Sequence, residues 1–341
     1  MAETTGSALG LEDFFGQLLT YVGNLSGWTV DETITTVSSG RQCAVSKGNL
    51  FVQWRWNAAS PNTVAMYQST GFASATRAGT QAGDSGNGYN GGTSTTETNL
   101  ASERCIEEMG NAAFPSYYFY TDSNATYVHV VVEITAGDFR HFGFGNIEKF
   151  GDWGTGSGGE YVYGNAGVNL PTPHFQSSAS FLLDGFLSST SRVRKAATMR
   201  LSGLPDQGSE VYGVVWGRPG SNSSIGTSTD SAGNDRLAVQ GGARGGPLAA
   251  GFGWAPPESS TGLSLFQPVA CFYKNYVPTV DRIYLLGFQP DVRCVHLKYL
   301  AAKGTVSLGS QTWRVFPMVR RVDGSAAGDT GFAGIAYLTN S

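Results

Sequence analysis

The sequence predicts a mainly β protein: an N-terminal helix packed on a sheet, followed by β-sandwich or barrel-like domains with long glycine-rich loops. Three observations predict this. Apolar residues fall at convincing helical spacing in one stretch only, Leu11 to Val22. Several later stretches alternate large apolar and other residues with period two, as strands do. Between them lie long segments rich in Gly, Ser, Thr and Asn with no apolar period.

The helix comes first. Leu11, Phe14, Phe15, Leu18, Leu19 and Val22 fall on one stripe. Glu12 and Asp13 suit the positive end of the helix dipole, and Gly23-Asn24 is a stop signal. Strands follow. In Asn49–Trp56, Leu50, Val52, Trp54 and Trp56 share one face, with Phe51, Gln53 and Arg55 on the other. Thr63–Ser69 is the expected hairpin partner. Residues 78–99 read as a long mobile loop, and Glu103–Met109 as a short helix.

Tyr127–Ile134 alternates most clearly. Val128, Val130, Val132 and Ile134 point one way, and Tyr127, His129, Val131 and Glu133 the other. Thr135-Ala136-Gly137-Asp138 can turn the chain back into Phe139–Phe144. A regular register sets Glu133 opposite Arg140, an opposite-charge pair of about 0.2–1 kcal/mol. It also places His129 and His141 on opposite faces. Both faces carry large apolar groups, so each must be covered, by the same domain or by another chain. Residues 153–180 and 217–262 read as loops. Val269–Val277, Arg282–Phe288, Cys294–Leu300, Trp313–Val319 and Gly334–Leu338 read as strands of a compact last third. The expected division is residues 1–115 (helix plus sheet with a long loop), 116–265 (aromatic central β region) and 266–341 (C-terminal β region). At roughly 100–200 residues per domain, 341 residues fit that count.

Composition narrows the function. Charged residues are 14%, against about 25% in ordinary soluble domains. Aromatics at 12% are too many for a disordered chain. A net charge of −4 gives no general attraction to nucleic acid or to an acidic membrane surface. Cys43, Cys105, Cys271 and Cys294 are far apart and form no metal-ligand spacing. The start has acidic residues and no basic region ahead of its apolar run, which makes a poor signal peptide. No apolar run approaches the ~18 residues of a membrane span. A reducing cytoplasm is the expected place of synthesis and assembly.

No motif rises to a reaction. Gly86 to Gly91 matches GxGxxG but sits in a polar loop with no strand before it. Gly83-Asp84-Ser85-Gly86 resembles a serine-protease nucleophile segment, but no histidine has the surroundings of a catalytic base. His129, His141, His174 and His296 read as satisfied or exposed histidines. Glu103, Glu107 and Glu108, with Asp138, Glu148, Asp152 and Glu160, are the acids available for glycoside hydrolysis. Trp153, Tyr161 and Tyr163 are the aromatics available to stack on sugar. Arg192, Arg194, Lys195 and Arg200 make the densest positive run, better suited to pairing with acids than to nucleic acid. No cofactor or metal is expected.

The aromatic block carries a resemblance. Tyr127 to Glu133 (YVHVVVE), Phe139 to Gly145 (FRHFGFG), Glu148 to Trp153 (EKFGDW) and Gly159 to Gly164 (GEYVYG) resemble a group of tailed-bacteriophage virion structural proteins. The strands from Arg282 to Leu338 resemble the same group more weakly. The resemblance implies a non-enzymatic virion component, placed in symmetric rings or lattices of the tail or baseplate. Its expected partners are copies of itself and other virion proteins, with no nucleic acid and no membrane. Trp54, Trp56, Trp153, Tyr161 and Tyr163 are the expected interface residues. The alternatives are a host-receptor or glycan-binding module of the tail, a neck or capsid-surface protein, and, last, a tail-associated hydrolase.

Overall fold

The computed structural model describes residues 2–37, 40–59, 63–74, 76, 81, 105–107, 109–154, 158–164, 197–200, 212–214, 266–277, 280–297, 299–317 and 333–340. β1 (Ala2–Ala8) leads into α1 (Leu11–Gly23). β2 (Thr29–Val37), β3 (Gly40–Lys47), β4 (Leu50–Asn57), β5 (Thr63–Ser69) and β6 (Cys105–Glu107) follow. Next come β7 (Phe114–Thr121), β8 (Tyr127–Thr135), β9 (Asp138–Asn146), β10 (Glu148–Lys149), β11 (Glu160–Gly164), β12 (Ala197–Arg200) and β13 (Tyr212–Val214). The last strands are β14 (Gln267–Val277), β15 (Val280–His296), β16 (Thr305–Leu308), β17 (Gln311–Pro317) and β18 (Ala333–Asn340).

These strands form three antiparallel sheets. The central one runs β1-β7-β8-β9-β11-β12-β13. A second, β2-β3-β4-β5-β6, lies with the helix on one face of it. A third, β10-β15-β18-β17-β16 with β14 beside β15, lies on the other. The mainly β class with one N-terminal helix packed on sheet is as expected. Among the described residues no sheet closes into a barrel.

Side-chain alternation builds the layers. All six stripe residues of α1 are buried. Phe14 meets Phe114 and Phe142 of the central sheet edge-on, at 5.7 and 6.2 Å between ring centroids. Phe15 stacks on Trp56 of the second sheet at 4.8 Å. Asp13 accepts the Leu9 N–H at 2.8 Å, which ties down the chain at the helix start. Val128, Val130, Val132, Phe142 and Phe144 line this helix-side core with Leu50, Val52, Trp54 and Trp56. The opposite faces of β8 and β9 send Val131 and Phe139 into a separate core with Phe316 and Tyr337 of the third sheet. Lys47 locks the first pair of layers at one end, donating to the carbonyls of Ser26, Asn124 and Ala125 at 2.7–3.0 Å.

Several expectations differ from the structure. A β-bulge between Glu133 and Thr135 shifts the β8–β9 register, so Val132, not Glu133, lies opposite Arg140. The expected cross-strand pair does not form. Arg140 instead meets Asp138 at 2.6 Å, and Glu133 meets Lys303 at 3.1 Å. The same one-residue slip reverses facing. Val131 lies opposite His141 and Gly143 opposite His129, which brings both histidines to one face.

Residues Cys105–Glu107, expected as part of a helix, form a strand on the edge of β5, where pairing overrides local propensity. Glu160–Gly164, inside an expected loop, pairs with β9 and β12. The strands expected at Arg282–Phe288 and from Cys294 are joined in one element, β15. Pro290 is tolerated there because the β14 ladder skips from Arg293 to Phe288. Strand pairs cross both expected divisions of the chain: β1 with β7, and β10 with β15.

Candidate interaction surface and buried polar joint

Of the expected interface residues, Trp54, Trp56, Tyr161 and Tyr163 are at most 1% exposed. Their cover comes from the chain itself. Trp54 packs edge-on against Phe144 of the central sheet at 5.2 Å. Tyr161 and Tyr163 stack on each other at 6.0 Å between the central and third sheets. Trp153 alone keeps partial exposure.

Trp153 belongs to a strap that carries the chain from one sheet to another. After β9 the backbone crosses through Ile147 and pairs with β15 as β10. The approach is close. A Cβ on Gly287, whose φ is +155°, would lie 2.1 Å from the Glu148 carbonyl oxygen, so only glycine fits. The Leu286 carbonyl accepts both the Phe150 N–H at 2.9 Å and the Trp153 indole N–H at 2.8 Å. Lys149 lies 4.8 Å over the Trp153 ring and donates to the Gly154 carbonyl at 3.0 Å. The backbone is thereby fixed, while the Phe150 ring is left 59% exposed. Sequence reasoning missed Phe150. The available signal was a phenylalanine between Lys149 and Gly151, in a run too polar to be core.

The second feature is polar and wholly internal. His129 and His141 are both 0% exposed. His129 Nδ1 lies 3.0 Å from the Tyr163 hydroxyl and Nε2 2.9 Å from the Pro290 carbonyl. His141 repeats this with the Tyr337 hydroxyl at 2.9 Å and the Pro317 carbonyl at 2.9 Å. A carbonyl oxygen only accepts, so each Nε2 carries the hydrogen and each Nδ1 accepts from a tyrosine. Burial pushes the imidazoles down to about 3 for His129 and about 4 for His141, with the carbonyl bonds opposing. Both are neutral, as expected of satisfied core histidines.

Neighbouring groups follow the same rule. Tyr127 donates to Asp291 at 2.5 Å, and burial raises its pKa, with the Asp291 charge adding to the rise. Burial pushes the Cys271 thiol up to about 12, which leaves no nucleophile there.

Among the described residues no group of three His, Cys, Asp or Glu side chains is placed to hold a metal. Of the acids considered for glycoside hydrolysis, Asp138 is paired with Arg140, and Glu160 lies 3.9 Å from Arg200. Glu148 and Asp152 are on the exposed strap. The sugar platform of Trp153, Tyr161 and Tyr163 does not form, because the two tyrosines are core and Lys149 covers one face of Trp153. The GxGxxG run, the Gly83–Gly86 segment, His174, Glu103, Glu108 and Arg192 to Lys195 lie outside the described residues, as do the loops over 217–262 and most of 78–99. The side chains of Glu107 and His296 are likewise outside them. Among the described residues no helix is long and apolar enough to cross a membrane. No protein-family model and no curated protein matches the chain.

Proposed function

We propose that the chain is a non-enzymatic structural subunit of a tailed-phage particle, of the tail or baseplate, that assembles with copies of itself and with other virion proteins. The observation that carries this reading is the strap. Its backbone is pinned to β15, yet it presents Phe150 outward at 59% exposure. An aromatic ring held on rigid backbone loses little freedom on docking, which is what an assembly contact requires. The sparse charge of the chain, 14%, leaves few ions to desolvate at such a contact. The resemblance of the aromatic block supplies the particle.

Sedimentation velocity of the purified protein tests the reading. Wild type is expected to sediment as an oligomer. Phe150→Glu is expected to shift it toward the single subunit while leaving the unfolding midpoint unchanged. A wild type that stays a single subunit at high concentration, and is missing from purified virions by mass spectrometry, contradicts the proposal.

A further inference from the structure

His129 on β8 and His141 on β9 stand on one face of the central sheet, and each spans the gap to the third sheet. Each ring has both nitrogens engaged: one bonds a backbone carbonyl of the third sheet, and the other a tyrosine hydroxyl. We propose that this pair is an acid-release joint: protonation of His129 and His141 parts the third sheet from the central sheet while the helix-side core stays folded.

The geometry supplies the reason. A proton added at Nδ1 turns an acceptor into a donor, aimed at a hydroxyl that was itself donating. That hydroxyl must rotate away from the bond it made. The new positive charge is buried at zero exposure, where solvent cannot stabilise it.

Among the described residues, the ionisable groups around the joint are otherwise engaged or neutral. Asp291, from β15, accepts from Tyr127. Glu3, from β1, is held by Arg314 of β17 at 2.9 Å. Glu133, lower on β8, takes Ser116, the Gly137 N–H and Lys303. Arg140, beside His141, adds a like charge. Tyr120, Tyr161, Tyr163, Tyr337 and Cys271 are neutral groups whose pKa values burial raises further.

The sign follows from linkage. A released imidazole titrates near 6.5, whereas the closed joint holds both well below that. The open state therefore binds more protons, and closure is favoured above 6.5 and lost as pH falls. For each histidine the opening constant rises about tenfold per pH unit between 6.5 and its closed value, and about a hundredfold for the pair. Among the described residues the buried groups on the helix side include no histidine, so the histidine dependence is confined to the third-sheet side.

Hydrogen exchange with mass spectrometry at pH 7, 5.5 and 4.5, with labelling times scaled to intrinsic rates, resolves the layers. In wild type, peptides from β15, β17 and β18 are expected to lose protection steeply as pH falls, while those from α1 and β4 keep it. In the double variant His129→Gln/His141→Gln the pH dependence of the third sheet is expected to vanish. Loss of protection in both layers at one pH, or third-sheet protection that is flat down to pH 4.5, overturns the proposal. So does a double variant that follows the wild-type profile. If the double variant does not fold, the wild-type profile alone decides.

Discussion

The two faces of the central sheet are built from the same strands and differ in chemistry. Toward the helix, β8 offers Val128, Val130 and Val132 to a core of Phe14, Phe15, Trp54 and Trp56. Toward the third sheet, the same strand offers Tyr127, His129 and Val131; hydrogen bonds to Pro290 and Asp291 bridge the gap, and Tyr163 of the same sheet holds the other nitrogen of His129. The first face is held by area and fit, which are indifferent to pH. The second is held by directional bonds that are strong only while every partner is present and in one protonation state. One sheet thus carries a permanent seam and a conditional one.

Substitutions break this contrast in order of size. Phe14→Ala, which empties a position among five aromatic rings, is expected to cost about 3–5 kcal/mol in denaturant unfolding. The cost should be the same at pH 5 and pH 7. His141→Leu keeps apolar volume but strands the Pro317 carbonyl and takes one of its partners from the Tyr337 hydroxyl, at about 1–3 kcal/mol. Its penalty should shrink as pH falls, because wild type itself weakens there.

Glu133→Gln is expected to cost about 1 kcal/mol, since Lys303 is partly solvated at 42% exposure. Desolvation raises the Glu133 pKa, but the bonds from Gly137, Ser116 and Lys303 outweigh it, and the net shift is downward from 4.5. Its contribution is therefore present above 4.5 and lost as pH falls through the lower folded value. Thermal unfolding of wild type and variant at pH 3 and pH 7 should show the difference closing at the acid end. Arg41→Ala removes a surface pair with Glu12 of 3.0 Å and should change stability by less than about 1 kcal/mol, with any effect abolished by salt.

Much of this was legible in the sequence. The spacing of Leu11 to Val22 placed all six apolar residues of the helix on its buried face. The alternation in β4 and β8 assigned each side chain to its correct face, and the apolar load on both faces required cover on both sides, which the chain's own layers supply. The histidine joint was not legible, because it depends on one extra residue at Ile134. A bulge leaves no composition signature, yet it moves His141 across the sheet.

β1 was hidden for another reason. Ala2–Ala8 has no apolar alternation, and becomes a strand by docking on β7, where the Tyr117 ring fills the space above Gly6. The burial of Trp54 and Tyr161 shows a third limit. Sequence reveals that such residues must be covered, but a chain's own layers and a partner's surface satisfy that need equally. Phe150 was missed by the converse error, since a single exposed ring leaves no periodic trace.

The facing of His129 and His141, both donating through Nε2 to the third sheet, is the claim on which the contrast rests. Long-range proton–nitrogen correlation on the protein labelled in its histidines reads the tautomer of each ring directly. At pH 7 the two buried imidazoles should both carry their hydrogen on Nε2, exchange slowly with solvent, and fail to titrate near 6.5. A ring protonated on Nδ1, or one that titrates like free histidine, would contradict the account.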